Sequence, residues 1–248
     1  MSGTSSTEIA RNRTGSAGPA EVEAEFDAKA SHYESDRLAP WYQAQADYLL
    51  DHLETVAGPV VDVGCGTGWL LRKLVKRFPK ATGIGVDLSG RMIDEARRRA
   101  QSAGLDRLSF VHGDWENRSV RRTVRDHLDE PAALAVCVSV FHYFRDPGTA
   151  LSGMHELLAP GGRLLVLDRA MDGSMVTRLW DLLHRYVVRD HVRFYRTTEL
   201  IAMLERAGFS HVKLEGRINR IFWKGKMHTS MALLSAGPEP ESPRSAFA

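Results

Sequence analysis

Short apolar runs alternate along the chain with segments in which apolar residues recur at helical spacing. Runs at residues 59–63 and 81–87 predict buried parallel strands. Between them, apolar side chains three and four positions apart over residues 70–78 predict a helix, which Pro79 ends. Alternation of this kind predicts a parallel sheet with helices on both faces.

The same alternation continues through the second half of the chain. Ser89 is placed to cap the helix after the second strand, and Gly104 is placed to end that helix. Thr197 or Thr198 is predicted to cap a late helix that ends at Gly208. Further strands are predicted at residues 108–114, 133–140, 163–168, 212–214 and 218–223.

Composition and charge narrow the class of protein. The 248 residues are 43% hydrophobic and 26% charged, and the net charge of +2 gives no general attraction for nucleic acid or acidic lipid. The two cysteines, Cys65 and Cys137, have no metal-ligand spacing, and no run approaches the roughly 18 apolar residues of a membrane span. We therefore expect a cytoplasmic protein without membrane insertion or a bound metal.

Composition also changes near both ends of the chain. Residues 1–20 are rich in Ser, Thr, Gly and Ala, and residues 236–248 are rich in Pro and Ser, so we expect both segments to be disordered. Residues 21–235 are then expected to form a single domain.

A glycine-rich turn follows the first predicted strand. It contains Asp62, Gly64, Cys65, Gly66 and Gly68, and the glycines allow a tight bend and a close approach of a ligand to the backbone. The spacing G-x-G-x-G differs from the G-x-G-x-x-G of dinucleotide sites, where a pyrophosphate faces a helix N-terminus. The acid before the bend instead suits the cationic amino end of S-adenosylmethionine, which has no phosphate.

Two more acids end the second and third predicted strands. Asp87 stands nineteen residues after Gly68, where a carboxylate can accept hydrogen bonds from both ribose hydroxyls; a helix N-terminal charge is the alternative. Asp114 can accept from an adenine amino group while Trp115 flanks the base, or it is an ordinary loop acid. Together with Asp62, these acids lie at strand carboxyl ends, where open α/β sheets bind ligands.

Longer stretches resemble a known family. VVDVGCGTG, GVDLSGRMIDEAR, FVHGD and LAPGGRLLVLD are similar to motifs of class I S-adenosylmethionine-dependent methyltransferases, in the branch of the ubiquinone and menaquinone biosynthesis enzymes. VSVFHYFRDP and TELIAMLERAGF are similar to that family's segment after strand four and its final helix. The resemblance implies an α/β, Rossmann-like, doubly wound αβα fold with a seven-stranded sheet of order 3-2-1-4-5-7-6, strand 7 antiparallel. It also implies an N-terminal helical cap over about residues 21–56 and an acceptor-pocket segment over about residues 170–196.

The resemblance further implies how S-adenosylmethionine, with S-adenosylhomocysteine as its product, would be held. The implied residues are Asp62, Gly64, Cys65, Gly66 and Gly68 for the methionyl part, Asp87 for the ribose, Leu88, Met92, Asp114 and Trp115 for the adenine, Ser139 near the methyl group and Tyr33 as a lid. Methyl transfer from a sulfonium is an in-line displacement, for which alignment and exclusion of water suffice unless the acceptor must lose a proton.

Each candidate for contact with the acceptor also has an alternative role. His142, after the fourth strand, is the candidate catalytic base, with a packing role or a place beside the cofactor as the alternative. His184 and His191 are candidates for substrate contact. Aromatic and methionine side chains of the N-terminal helix and residues 170–196 favour an apolar or aromatic small molecule, unless they only fill the core. They are Tyr33, Trp41, Tyr42, Met171, Met175, Trp180, Tyr186, Phe194 and Tyr195.

Several alternatives stay open. The sequence leaves open whether oxygen, carbon or nitrogen of the acceptor is methylated. It also leaves the oligomeric state open. A protein that binds S-adenosylmethionine without methylating, as a cyclase, rearrangement enzyme or regulatory homologue, fits the same cofactor residues. The glycine spacing disfavours a nicotinamide-dependent oxidoreductase. Nucleic acid is disfavoured because the fourth strand is not followed by Asn/Asp-Pro-Pro-Tyr/Phe, which is typical of many amino-group methylators.

Overall fold

The computed structural model of the chain describes residues 18–172, 193–218, 222–223, 226–227 and 230–238. The helices are α1 Pro19–Lys29, α2 Ala39–Asp51, α3 Trp69–Arg77, α4 Gly90–Ser102, α5 Arg118–Asp126, α6 Pro147–His155 and α7 Thr197–Arg206, with 3₁₀ turns at Ala30–His32 and Phe141–Tyr143. The sheet strands are β1 Gly58–Val63, β2 Ala81–Asp87, β3 Leu108–His112, β4 Ala132–Val138, β5 Leu158–Ala170, β6 Phe209–Ile218 and β7 Ser230–Pro238.

A single seven-stranded sheet has the order β3-β2-β1-β4-β5-β7-β6. Strands β1 to β5 pair in parallel, and β7 lies antiparallel between β5 and β6. The Rossmann-like strand order implied by the sequence resemblance is therefore confirmed. Because the chain leaves the neighbouring strands β1 and β4 in opposite directions, a crevice is expected at their carboxyl ends.

The central strands are apolar on both faces because both faces are covered. Val61 and Val63 of β1 pack into the core on one side of the sheet, whereas Val60 packs into the core on the other side. This two-sided burial explains why the strands appear in the sequence as continuous apolar runs and not as alternating patterns. No helix in the described part of the chain is long and apolar enough to cross a membrane.

The ends of the domain differ from the expectation. Helix α1 begins at Pro19, so residues 19–20 are helical; a proline fits the first helical position because no N–H is needed there. Residues 236–238 belong to β7, whose buried apolar residues 231–234 hold it between β5 and β6. Residues 1–17 and 239–248 lie outside the described residues.

Two further local predictions require correction. Thr197 is the first residue of α7 and not its cap; Asp172 accepts hydrogen bonds from the Thr197 N–H, at 2.8 Å, and from its hydroxyl. Of the strand predicted at residues 218–223, Ile218 ends β6 and Phe222–Trp223 pairs with Lys226–Met227 in a separate ladder, while residues 219–221 lie outside the described residues. By contrast, Ser89 caps α4 as predicted, because its Oγ accepts the Met92 N–H at 3.1 Å.

Candidate active site

One cavity brings together most of the residues singled out in the sequence. It lies at the carboxyl ends of β1 to β4, beneath α1 and α2. Twelve of the thirteen predicted site residues line it: Tyr33, Asp62, Gly64, Cys65, Gly66, Asp87, Leu88, Met92, Asp114, Trp115, Ser139 and His142. Gly68 does not line it. A Cβ at Gly68 would lie 2.9 Å from the Phe110 ring, so this glycine permits close packing of the start of α3 against β3.

The glycine bend exposes backbone to the cavity. Gly64 and Gly66 have φ values of +77° and +53°, which L side chains rarely adopt. A Cβ on Gly64 would overlap Cγ2 of Val140, just beyond β4, whereas the nearest atom to a Cβ on Gly66 is Tyr33 Cε1 at 3.8 Å. The bend therefore lets the ends of β1 and β4 meet and leaves the backbone of Gly66 facing the ring of Tyr33.

Asp87 connects this bend to the end of β2. Its Oδ2 accepts the Gly66 N–H at 2.8 Å, and its Oδ1 accepts the Ser89 N–H at 2.9 Å. Burial raises the pKa of Asp87 from 3.8 to about 6, although both N–H groups favour the ionised form. A carboxylate has about four acceptor positions, so Asp87 keeps the capacity to bind hydroxyl groups of a ligand.

Asp62 is the second acid of the cavity floor. It is only 2% exposed, and burial, with the nearby charge of Asp87, raises its pKa from 3.8 to about 8. Two carboxylates whose ionisation is unfavourable here would both be stabilised by a cationic ligand. The floor therefore fits the positively charged amino end of S-adenosylmethionine.

Asp114 and Trp115 line the cavity after β3, but each also has a structural role. Asp114 Oδ1 accepts the Glu116 N–H at 2.9 Å and so shapes its own turn. The Trp115 indole is 3% exposed and donates to the Ala150 carbonyl oxygen at 3.0 Å, which anchors the ring in the core. Trp115 therefore borders the cavity with a ring that is held in place by the core.

Aromatic side chains cover the cavity. Tyr33 stacks on Tyr42 of α2 with ring centroids 4.7 Å apart, and Phe26 of α1 meets Tyr143 edge to face at 5.6 Å. Burial raises the pKa of Tyr33 well above its usual value, so the phenol stays neutral. We refer to Phe26, Tyr33, Tyr42 and Tyr143 as the aromatic lid.

The other aromatic and methionine candidates differ in position. Trp41 lines the cavity, whereas Phe194 and Tyr195 are buried and pack against His142 and Phe141 respectively, which is the core-packing alternative. Met171 follows β5 and donates its N–H to the Tyr195 carbonyl oxygen at 2.9 Å. The remaining candidates, Met175, Trp180, His184, Tyr186 and His191, lie outside the described residues.

Two acidic residues fasten the lid to the sheet domain. Glu34 accepts two hydrogen bonds from Arg72 of α3 at 2.7 and 2.9 Å, one from Arg99 of α4 at 2.7 Å and one from the Thr67 hydroxyl at 2.5 Å. Asp27 of α1 accepts the Ser89 hydroxyl at 2.5 Å. These contacts join residues more than thirty positions apart, so local sequence patterns did not reveal them.

His142 is paired with an acid that the sequence reasoning missed. Its Nδ1 lies 2.8 Å from Oδ1 of Asp168, at the end of β5, and both side chains are buried. His142 also lines the cavity. The available signal was positional: Asp168 ends the strand next to β4 in the predicted sheet, so it had to lie near the residues after β4.

Comparison with known proteins agrees with this geometry. Residues 31–214 match the family described as "Methyltransferase domain". The chain belongs to the class I S-adenosylmethionine-dependent methyltransferase family. In fold, it resembles the crystal structure of the YcgJ protein from Bacillus subtilis, with a TM-score of 0.65 at 16% identity, covering 79% of this chain and 98% of that one.

Curated relatives carry several methyltransferase names. A malonyl-[acyl-carrier protein] O-methyltransferase of Priestia megaterium is 32% identical over 56% of this chain. A ubiquinone/menaquinone biosynthesis C-methyltransferase of Dinoroseobacter shibae is 28% identical over 78% of this chain and 80% of its own length. A tRNA (guanine-N(7)-)-methyltransferase of Rubrobacter xylanophilus is 32% identical over 50% of this chain and 56% of its own length. The chain spans about half the length of the Priestia relative, 48%.

Proposed function

We propose that this protein transfers a methyl group from S-adenosylmethionine to a small-molecule acceptor. The observation that carries the proposal is the pair of buried acids, Asp62 and Asp87, beneath an open glycine bend. Their raised pKa values favour a cationic ligand over an anionic phosphate, and the bend leaves backbone open to the ligand. Membership of the methyltransferase family supports the same cofactor.

The proposed roles follow the order of the strands. Asp62, with the backbone of Gly64, Cys65 and Gly66, would hold the methionyl part, and Asp87 would accept the ribose hydroxyls. The adenine would lie beside Leu88, Met92, Asp114 and Trp115, with Ser139 near the methyl group and Tyr33 above. When bound, S-adenosylmethionine supplies an already activated methyl group on a sulfonium. The chain's own contribution is then to align the acceptor with that methyl group and to exclude water beneath the aromatic lid.

The pairing of His142 with Asp168 supports an acceptor that loses a proton. Because Asp168 accepts from Nδ1, it favours the tautomer that carries the proton on Nδ1 and places a lone pair on Nε2. Nε2 can then take a proton from an acceptor as it is methylated, after which Asp168 stabilises the imidazolium. This arrangement favours a hydroxyl acceptor over one that needs no base.

A small, partly apolar acceptor is supported by the lid. Aromatic rings and the cap helices α1 and α2 cover the cavity, which leaves limited room for a polymer. RNA is the second acceptor class to test, because one relative bears a tRNA methyltransferase name. A protein that binds the cofactor without methylating remains the functional alternative.

Calorimetry and isotope labelling together test the proposal. We expect S-adenosylmethionine and S-adenosylhomocysteine to bind, and NADH not to bind. With S-adenosylmethionine bearing a deuterated methyl group, one component of a metabolite extract should gain the label while S-adenosylhomocysteine accumulates. A gain of label in total RNA alone would reassign the acceptor. Binding without any labelled product would support the non-methylating alternative, and NADH binding instead would overturn the cofactor assignment.

A further inference from the structure

A fully buried amide borders the cavity without using its donors. Gln45 of α2 has no solvent exposure and lines the cavity. Its Oε1 accepts a hydrogen bond from the Ser139 hydroxyl, whereas its Nε2 has no hydrogen-bond partner among the described residues. Gln45 is not predictable from the sequence as a site residue, because one glutamine within a helix carries no local signal.

The contact with Ser139 fixes the orientation of this amide. Ser139 is one of two non-glycine residues with positive φ in the described part of the chain, at +56°, and its N–H is held by the Leu167 carbonyl oxygen at 2.8 Å. Such a conformation persists when the surroundings hold it in place. Since Oε1 is occupied by Ser139, the two N–H groups of Nε2 are the part of the side chain left for a ligand.

Burying an amide without an acceptor is unfavourable. Leaving a buried donor unsatisfied costs about 1–3 kcal/mol, and an apolar side chain of similar volume would avoid that cost. A polar residue that is buried, fixed and half-satisfied beside a cavity therefore indicates an acceptor supplied by a bound molecule.

A second donor of the same kind comes from the adjacent helix. Trp69 opens α3, lines the cavity, and has a buried Nε1 with no acceptor in the described parts of the chain. The acids Asp62, Asp87 and Asp114 come from the strand ends, whereas these two uncharged donors come from α2 and α3. The cavity thus offers acceptors for a cation and, from a different wall, donors for an anion.

We propose that Gln45 is a ligand-binding residue whose Nε2 donates to a carboxylate of the molecule in the cavity, with Trp69 as a second donor. This rests on the proposed function. The carboxylate belongs either to the methionyl end of the cofactor or to an anionic acceptor. Both sources offer the same chemistry, and they can be separated by comparing ligands that contain or lack the amino acid part.

The test uses Gln45→Glu, which keeps the volume and an oxygen for Ser139 but replaces the donor with an acceptor, and Gln45→Met, which removes both. The control is Gln43→Glu, the same change on the same helix at a position that does not line the cavity. Calorimetry at pH 8 measures S-adenosylhomocysteine and 5′-methylthioadenosine, which lacks the amino acid part. Deuterated-methyl labelling is run on the anion-exchange-retained and unretained fractions of a metabolite extract.

If the carboxylate is the cofactor's, Gln45→Met, which has no donor in any protonation state, and Gln45→Glu both weaken binding of S-adenosylhomocysteine by about 10- to 100-fold, the scale of one hydrogen bond to a charged group. Binding of 5′-methylthioadenosine weakens by less than about 2-fold in both variants. If it is the acceptor's, both nucleosides bind as to wild type, and labelling of the retained fraction is lost. Unchanged binding and labelling overturn the proposal, and so does equal weakening of both nucleosides with a lower melting temperature. Failure of the wild type to bind S-adenosylhomocysteine overturns the proposed function itself.

Discussion

The carboxylate of Asp87 lies 2.8 Å from the backbone nitrogen of Gly66 and accepts its hydrogen bond. The bond spans twenty-one residues and joins the bend after β1 to the end of β2. The glycine bend is therefore braced by the same acid that is proposed to hold the ribose. A substitution of Asp87 therefore tests both its role in holding the bend and its proposed role in binding the ribose.

Asp87→Asn should weaken binding of S-adenosylhomocysteine by about 1–3 kcal/mol, because one charged acceptor for the ribose hydroxyls is lost. Calorimetry measures the change. Asp94→Asn is the control, since Asp94 lies on the solvent face of α4 with its side chain 78% exposed. Equal affinity of Asp87→Asn and wild type would remove Asp87 from the site.

Affinity for S-adenosylmethionine should rise as pH increases from about 6 to about 8. Asp87 and Asp62 have pKa values of about 6 and about 8, so each becomes a carboxylate over this interval and attracts the cationic ligand more strongly. Calorimetry across this range measures it. Asp62→Asn should flatten the upper part of the profile, and an unchanged profile in that variant would contradict the assignment.

Stability of the ligand-free protein should change in the opposite direction. Both pKa values lie above 3.8, so the folded state binds more protons than the unfolded state between about pH 4 and pH 8, and stability falls as pH rises through that range. Melting temperatures against pH measure this slope. Asp62→Asn should reduce it, and an equal slope in the variant would show that other groups are responsible.

Gly64→Ala should destabilise the protein more than Gly104→Ala. Both glycines have positive φ, but a Cβ at Gly64 would overlap Val140, whereas a Cβ at Gly104 would meet no atom within 4 Å. Gly104→Ala should cost about 1 kcal/mol from the backbone conformation alone. Urea unfolding compares the two. Equal losses would mean that the contact between the glycine bend and Val140 relaxes freely.

Glu34→Gln should destabilise the packing of the N-terminal helices α1 and α2 on the sheet domain, because the contacts with Arg72 and Arg99 weaken. The Glu34 side chain is 9% exposed, and removing one member of a buried ion pair costs about 3–5 kcal/mol, which partial exposure of Arg99 reduces to roughly 2–3 kcal/mol. Glu25→Gln removes a more exposed pair with Lys29 and should cost less than about 0.5 kcal/mol. Urea unfolding and amide exchange in α1 measure both. A loss of unfolding free energy no larger than that of Glu25→Gln would show that Glu34 does not hold the N-terminal helices on the sheet domain.

Much of the cavity floor could be predicted from sequence, because the residues that form it are close together along the chain. A buried strand, a glycine bend and an acid at the next strand end all fall within residues 59–87, and the carboxyl ends of parallel strands necessarily share one edge. The contacts that bridge the cavity were not predictable in this way. Ser139 and Gln45 are 94 residues apart, and His142 and Asp168 are 26 apart, so each pair depends on how the helices pack over the sheet.

The last strand was missed for a different reason. Residues 231–234 are an apolar run, but the proline-rich and serine-rich segment that follows starts within a few residues and resembles a disordered tail. Burial between β5 and β6 decides the outcome, and β5 ends at Ala170, far from β7 in sequence, so local patterns do not show that this burial is available. Thr197 was mistaken for a cap because Asp172, the acid that contacts it, is 25 residues away.

The contacts of Glu34 and Asp27 have a kinetic consequence. They hold the chain at the positions directly after Phe26 and Tyr33, so a nucleoside bound beneath these rings, as proposed, is expected to dissociate when the contacts of one of the two acids break. Replacement of S-adenosylhomocysteine by S-adenosylmethionine would then follow the opening rate of the N-terminal helices. The upper limit on the turnover rate would be set by the side chains of Asp27 and Glu34, which are remote from the transferred methyl group.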